Sequence, residues 1–252
     1  MSELAADARP RWERFNRGKL EEQEMRKIIA AAFVSLDGVM QAPGGPEEDP
    51  TGGFEYGGWL PAFWDDELSA ALDKNFATPF DLLLGRRTYD IFAAHWPHIQ
   101  VDPSASDFDA LNADIANTFN RITKYVATHR PETLDWQNSE SLGSDVVATL
   151  RKLKQGDGPD LMTQGSSELL RILFENDLVD ELRVFTFPLL LGKGKRMFGN
   201  ASAPHTLTLA SSSISPNGVV IATYERAGAV QTGSFALETP TEAEVERRNT
   251  LA

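Results

Sequence analysis

Leu161-Met162-Thr163-Gln164-Gly165-Ser166-Ser167-Glu168-Leu169-Leu170 is the stretch that decides the fold. Leu161 to Thr163 is a short apolar run and reads as the end of a buried strand. Residues 164–167 are small and polar, with a glycine that lets a ligand approach the backbone. Apolar residues then recur at Leu169, Leu170, Leu173 and Phe174, which is helical spacing. Glu168 lies in the first turn of that helix and suits its dipole. A strand that feeds a polar turn and then a helix N-terminus is an anion cradle, because the first backbone N–H groups have no partner inside the helix. The helix is expected to end near residues 176–177. Residues 182–187 then read as the next strand, closed by Pro188. Strand, crossover helix and strand predict parallel pairing in a right-handed crossover.

The same junction recurs on both sides of this unit. Residues 26–34 (RKIIAAAFV) are a near-continuous apolar run, the mark of a central strand buried on both faces. Its alanines let something bulky lie close to the sheet, and Ser35-Leu36-Asp37-Gly38 ends it in a turn. Residues 80–84 read as a strand running into Gly85-Arg86-Arg87-Thr88-Tyr89, where a helix opens. The guanidinium groups there suit phosphate oxygens. Residues 122–127 read as a strand ending in Thr128-His129-Arg130-Pro131. Ligands of open α/β sheets bind outside the carboxyl ends of the strands. The three ends at 85–88, 128–130 and 164–168 therefore point to one elongated, phosphate-bearing ligand, and a dinucleotide fits that description. Neither the G-x-G-x-x-G fingerprint nor the P-loop is present.

Other segments fill in the frame. Residues 65–76, 107–119 and 143–154 read as helices, and 207–210 and 218–224 as late antiparallel strands. Residues 233–237 read as one more strand across a dimer interface, and 242–248 as a charged terminal helix or tail. Residues 41–60 are rich in glycine and proline, and a loop this long is either a lid over a site or a surface insertion. Gly192-Lys193-Gly194-Lys195-Arg196 is a weak phosphate-loop signal; a loop gripping a dimer or a cofactor reads equally well. Alternating strands and helices over 26–187 predict an α/β fold with a mostly parallel sheet. The expected division is an N-terminal extension (1–24), the main α/β domain (25–228) and a C-terminal strand with a charged tail (229–252).

Composition narrows the partners. The chain has 252 residues, a formal net charge of −13, 41% hydrophobic residues and no cysteine. The acidic balance argues against general nucleic-acid binding. The absence of cysteine excludes disulfides, thiol nucleophiles and cysteine-based zinc sites. His95 and His98 are the one close histidine pair of four histidines, and they read as a loop pair beside Trp96 and Pro97, so no metal is expected. No run approaches the ~20 apolar residues of a membrane span, and the polar start lacks the apolar core of a signal peptide. A cytoplasmic protein with a small-molecule substrate is the expectation.

Taken together, Ser35-Leu36-Asp37-Gly38, Gly85-Arg86-Arg87-Thr88-Tyr89, Gly165-Ser166-Ser167-Glu168-Leu169, Leu178-Val179-Asp180-Glu181-Leu182-Arg183 and Pro188-Leu189-Leu190-Leu191-Gly192-Lys193-Gly194 resemble the dihydrofolate reductase family. The resemblance is to the branch related to the C-terminal reductase domain of the bifunctional riboflavin-biosynthesis protein, and it covers residues 26–226. It implies a central, mostly parallel sheet of about eight strands flanked by helices, with NADPH as cofactor. By resemblance, Gly85, Arg86, Arg87 and Thr88, together with Gln164, Gly165, Ser166, Ser167 and Glu168, surround the cofactor phosphates. Thr128, His129 and Arg130 meet the adenosine phosphate, and Ala31 and Ala32 pass beside the nicotinamide. Gly165-Ser166 stands where the family carries two or three glycines, and Glu168 near where it often carries arginine. Selection of NADPH over NADH then rests on Arg87 or Arg130. A homodimer through the late strands is also implied.

The implied reaction is hydride transfer to a C=N or C=O carbon, with the protein supplying or relaying a proton. Asp37 is placed to touch substrate or a proton-carrying water, or to form its Asp-Gly turn. Asp65, after Trp59-Leu60-Pro61-Ala62-Phe63-Trp64, loosely matches the position of the family's substrate-binding acid, and a capping role is its alternative. Trp59 and Trp64 either stack on a flat heterocycle or pack in the core. Arg196 or Lys195 is either a further contact for a phosphorylated substrate or part of a solvated basic loop, the second being the favoured reading. Three functions follow: a reductase of a ribosylaminopyrimidine, pterin or other small substrate; a nucleotide-binding protein of the same fold without catalysis; and a hydrolase or transferase of a phosphorylated metabolite. No nucleophile elbow or P-loop supports the third. The ribosylaminopyrimidine is the best single substrate expectation; with no deaminase domain expected ahead of the reductase domain, a stand-alone role is at least as plausible.

Overall fold

A computed structural model describes residues 25–199 and 204–251. The expected N-terminal extension lies outside the described residues. The chain runs β1 (Ile28–Ser35), α1 (Asp66–Phe76), β2 (Phe80–Gly85), α2 (Arg86–Ala93), α3 (Ala110–Arg121), β3 (Lys124–Ala127), β4 (Ser139–Ser141), α4 (Val146–Gln155), β5 (Asp160–Thr163), α5 (Ser167–Glu175), β6 (Glu181–Phe187), β7 (Thr206–Ile214), β8 (Val220–Gly228) and α6 (Glu242–Asn249). One eight-stranded sheet has the order β4-β3-β2-β5-β1-β6-β8-β7. The six strands from β4 to β6 are parallel, and β8 and β7 add antiparallel at one end. Among the described residues no helix is long and apolar enough to cross a membrane.

β1 is the central strand, and its sequence explains why. Ile28, Ala30, Ala32 and Val34 face one side, where they pack with Leu169, Leu170 and Leu173 of α5 and Leu150 of α4. Ile29 and Ala31 face the other side with Phe80, Leu82, Leu84 and Phe119. Phe33 extends that second face into a separate cluster with Phe185, Phe187 and Leu68. Apolar residues at both parities are what a strand covered on both faces requires.

One expected pairing is corrected. β5 and β6 do not lie side by side: β1 sits between them and pairs parallel with both, Ile28 opposite Leu161 and Ala32 opposite Val184. A crossover helix dictates parallel strands but does not say whether a third strand enters the gap. The strand expected over 233–237 is also absent, and the segment is exposed and irregular, with Phe235 fully exposed. β4 escaped sequence reading because three residues, Ser139, Glu140 and Ser141, on a sheet edge carry no apolar signal.

Two buried charges tie the frame at its rim. Arg26 pairs with Asp81 at 2.6 Å, joining the approach to β1 with β2. Lys124 is fully buried; its Nζ donates to the carbonyls of Phe119 and Ile122 at 2.9 Å and lies over the Trp136 ring. Those carbonyls close α3, the negative end of a helix dipole, which is where a lysine is favoured.

Candidate functional site

β1 and β5 part company at their carboxyl ends. Their backbone register runs to Ile29 opposite Met162. Beyond it the Thr163 hydroxyl, fully buried, accepts from Ala31 N at 3.1 Å, and Gly165 N donates to Ala31 O at 3.0 Å. Gly165 and Ser166 then adopt left-handed backbone, φ +74° and +69°. That conformation is free for glycine and costs a serine about 1 kcal/mol. In return the Ser166 hydroxyl reaches across to the next strand end. It accepts from Gly85 N at 2.9 Å and donates to Thr88 Oγ1 at 2.9 Å.

The starts of α2 and α5 are therefore held side by side. They differ from the other helices of the fold. Asp65 caps α1, Asp109 caps α3, Asp145 caps α4 and Thr241 caps α6, each accepting from a backbone N–H. α2 and α5 begin at Gly85 and Ser166 with no side-chain cap. Both open on one cavity of about 2120 Å³, whose lining includes Ala32, Gly85, Arg86, Arg87, Thr88, Thr128 and His129, together with Gln164, Gly165, Ser166, Ser167 and Glu168. The three strand ends read from sequence thus converge.

Their side chains are not equally free. Arg86 Nη1 donates to Thr133 Oγ1 at 2.6 Å and to Arg130 O at 3.1 Å, while Nη2 pairs with Asp90 at 2.7 Å. With both terminal nitrogens engaged it fastens the 128–133 turn to α2, while its Nε is buried without a partner. Arg87 is more than half exposed and touches Asp49 at 3.2 Å and Thr51 at 2.9 Å. Arg130 is outside the cavity lining and lies 3.6 Å from Asp90. The Glu168 carboxylate points to solvent, paired with Arg171 at 3.4 Å.

The two acids assigned to proton handling are elsewhere. Asp37 does not line the cavity. Its Oδ1 accepts from the Ser35 hydroxyl at 2.6 Å and from Leu191 N at 3.1 Å; its Oδ2 accepts from Gly192 N at 2.8 Å and faces Arg196 at 3.2 Å. Partial burial on its own would raise its pKa, but the Ser35 hydroxyl, the two amides and Arg196 outweigh that and hold it down to about 2. Asp65 is the N-cap of α1, accepting from Leu68 N at 2.9 Å. Trp59 is buried, donates to Gln41 O at 2.8 Å and packs edge-on against Phe187. Of the two tryptophans expected to meet substrate, Trp64 is the one that lines the cavity.

Of the two readings of the 41–60 loop, a lid over a site or a surface insertion, the first is the nearer, although the sequence does not single out its individual lining residues. Residues 42–49 line the cavity rather than hanging free. The Gln41 side chain holds Asp49 O, Thr51 O and Lys195 N together, and Asp49 pairs with both Lys195 and Arg87. Glu48 accepts from Gly44 N at 2.6 Å and Gly45 N at 3.2 Å; burial pushes its carboxyl up, with those amides acting against it. The acidic run Glu47-Glu48-Asp49 was the available signal. Lys193, Lys195 and Arg196 are spent on Gly53 O, Asp49 and Asp37, so the basic loop clamps residues 37–53. Gly194 allows this approach, because a Cβ there would collide with Val39.

A parallel sheet with β1 central, two antiparallel strands at one end and two uncapped helix starts over its carboxyl edge defines a dihydrofolate reductase-like α/β domain. Residues 26–221 match the family of the RibD C-terminal domain, and the chain belongs to that family. The uncharacterized protein YyaP of Bacillus subtilis is 24% identical over 206 residues, covering 80% of this chain and 95% of YyaP. YwjB of the same organism is 24% identical over 173 residues, 69% of this chain and 83% of its own. Among solved structures, dihydrofolate reductase from Enterococcus faecalis complexed with NADP(H) aligns with a TM-score of 0.48 at 14% identity, covering 79% of this chain and 96% of its own. The deaminase/5-amino-6-(5-phosphoribosylamino)uracil reductase of Thermotoga maritima aligns with a TM-score of 0.49 at 14% identity, covering 81% of this chain and 58% of that longer one.

Asp37→Asn keeps the shape and removes the charge. The variant is expected to be about 1–2 kcal/mol less stable at pH 7 in urea unfolding. With the native pKa near 2 and the ordinary value 3.8, the unfolded state binds the extra proton between them. The carboxylate's contribution is therefore complete above about pH 4 and lost as pH falls through 2, so the gap between wild type and variant closes over that window. A gap independent of pH would contradict this role.

Proposed function

We propose that the protein is an NADPH-dependent oxidoreductase that reduces a small carbonyl or imine substrate. The observation that carries this reading is the pair of uncapped helix starts, α2 and α5, opening on one cavity beside an alanine-rich strand. Unpartnered backbone N–H groups at helix N-termini favour phosphate, and the residues present fit a dinucleotide. Gly85, Thr88 and residues 165–167 would hold the pyrophosphate. Thr128, His129 and Arg87 would face the adenosine phosphate, with Arg130 behind them. Ala32, with only a methyl group on the cavity wall, leaves room for the nicotinamide. Bound there, the reduced cofactor supplies a hydride.

The chain's own part is orientation and proton supply. Ser166 and Thr88 fix the spacing of the two helix starts. Residues 42–49 form one wall of the site. Asp37 and Asp65 are committed to a loop and a cap, so the proton comes from Glu48, the cavity-lining carboxyl that burial keeps more readily protonated, or from water. The riboflavin-pathway ribosylaminopyrimidine and the pterins are the substrates that the family resemblance offers. A catalytically silent nucleotide-binding protein is the other reading, and no observation favours it.

A homodimer belongs to the same proposal. β7 is an edge strand that exposes Leu209 and Ile214, at 51% and 69%, and a second copy would cover them. Light scattering is expected to give the mass of two chains; a monomer at micromolar concentration would contradict it.

Trp64 and Trp96 line the cavity, so tryptophan fluorescence reports its occupancy. NADPH is expected to quench it at lower concentration than NADH. Arg87→Ala is expected to weaken NADPH about tenfold, the loss of one charge-assisted phosphate contact, and to leave NADH within about twofold. Absence of binding by the folded wild type would refute the reading, and equal losses for both nucleotides would remove Arg87 from the phosphate.

A further inference from the structure

The cavity is twice the size of a typical small-molecule site of up to about 1,000 Å³. It has room for two ligands, and its walls divide into two chemically different parts. One is the strand-end region of hydroxyls, glycines and helix starts described above. The other is built from residues 60–76 and 91–119 with Phe33 of β1, all on the sheet face that carries Ala31. Trp64, Phe76, Phe92, Trp96 and Ile115 dominate this second part together with Phe33.

We infer that this second arm takes a flat, uncharged, largely apolar carbonyl or imine compound and discriminates against phosphorylated ones; the inference rests on the reductase reading and names its substrate class.

Charge is the first argument. The lysines and arginines on the cavity wall are Arg86, Arg87, Arg171 and Lys195. None belongs to residues 60–76 or 91–119. Arg86 is locked beneath the 128–133 turn, and Arg171 is held by Glu175 at 2.7 Å. Arg87 and Lys195 share Asp49. The cavity lining also carries the carboxylates of Glu47, Glu48, Asp90 and Asp109; Asp109 belongs to the arm's own segment, as does His95, and Asp90 is paired with Arg86. A phosphate dianion placed there would lose its water, find no guanidinium or ammonium group, and face carboxylates. Burying such a charge unpaired costs several kcal/mol or more.

Hydrogen-bonding capacity is the second. Trp64 Nε1 already donates to Ser69 Oγ at 2.9 Å, so Trp64 offers only its ring, and Trp96 Nε1, buried without a partner, is the one indole donor of the lining left for a single acceptor on a ligand. Asp109 is occupied in capping α3, accepting from Asn112 N at 2.8 Å. A ribosyl chain with several hydroxyls would leave most of them unpaired against aromatic carbon. Aromatic side chains favour a planar ligand that stacks or meets their edges. One polar atom on the ligand is enough for the chemistry. The carbonyl or imine carbon receives a hydride, its oxygen or nitrogen receives a proton from Glu48 or water, and the dihydronicotinamide is oxidised by two electrons. The product is an alcohol or amine.

Calorimetry with 2-acetylnaphthalene and with 6-acetyl-2-naphthyl phosphate tests the inference without any cofactor. The ketone is expected to bind the wild type with a micromolar Kd, and its phosphate ester at least tenfold more weakly. Leu111→Lys, which places an ammonium group in the arm, is expected to weaken the ketone and to tighten the ester at least tenfold. Should Leu111→Lys fail to fold, Asn112→Lys makes the same change at an exposed lining position. An ester that binds wild type as tightly as the ketone would overturn the inference, as would efficient reduction of a phosphorylated ribosylaminopyrimidine, and the reductase reading would survive both. Ketone preference in a protein that binds no NADPH would overturn the reductase reading and, with it, the assignment of this arm to a substrate of reduction.

Discussion

One hydroxyl group organises the site. Ser166 Oγ, between Gly85 N and Thr88 Oγ1, joins the ends of two neighbouring parallel strands and sets the distance between the helices that follow them. The β2–β5 ladder ends with Leu83 opposite Thr163, short of Gly85 and Ser166, so the ladder itself does not hold the two helix starts together. Ser166 spans that gap from a left-handed backbone position, φ +69°. A glycine would adopt the conformation without cost but could not make the bridge. Unfavourable backbone in an L residue at such a place is offset by what its side chain does, and it sits where a site needs rigidity.

A second set of contacts holds the cavity wall. Asp37 and Asp49 each bind one basic residue of the 192–196 loop, and Gln41 stitches the loops together from between. Acids and bases that look free in the sequence are largely consumed in this clamp. That leaves Arg87 as the exposed guanidinium at the helix starts and leaves the apolar arm without a cation. The same clamp that builds the wall thus also shapes which ligands the cavity accepts.

Much of the frame was legible because it is periodic. The apolar run of β1, the helical spacing in α5 and the glycine-led turns at 85 and 165 each announce a local structure. Neighbour relations were not, since the crossover through α5 says nothing of β1 entering between β5 and β6. The strand ends that line one cavity could be located from the sequence alone. The roles of Asp37, Asp65 and Trp59 could not, because a carboxylate beside a turn or at a helix start is equally suited to catalysis and to satisfying backbone N–H groups. Only the contacts decide, and here they are Leu191 N, Gly192 N and Leu68 N. The apolar arm was hidden for a different reason. Phe76, Phe92, Trp96 and Ile115 sit on amphipathic helices or their ends, where core packing is the default reading, and they form one surface only after α1, α2 and α3 are brought to the same face.

The central claim is that two uncapped helix starts hold a dinucleotide's phosphates with its nicotinamide beside Ala32. A crystal structure of the protein soaked with NADP+ tests it most directly. The account predicts pyrophosphate density against the backbone of residues 165–167 and 85–88, with the nicotinamide ring next to β1. Density in the apolar arm alone, or a well-ordered empty cavity at saturating nucleotide, would contradict it.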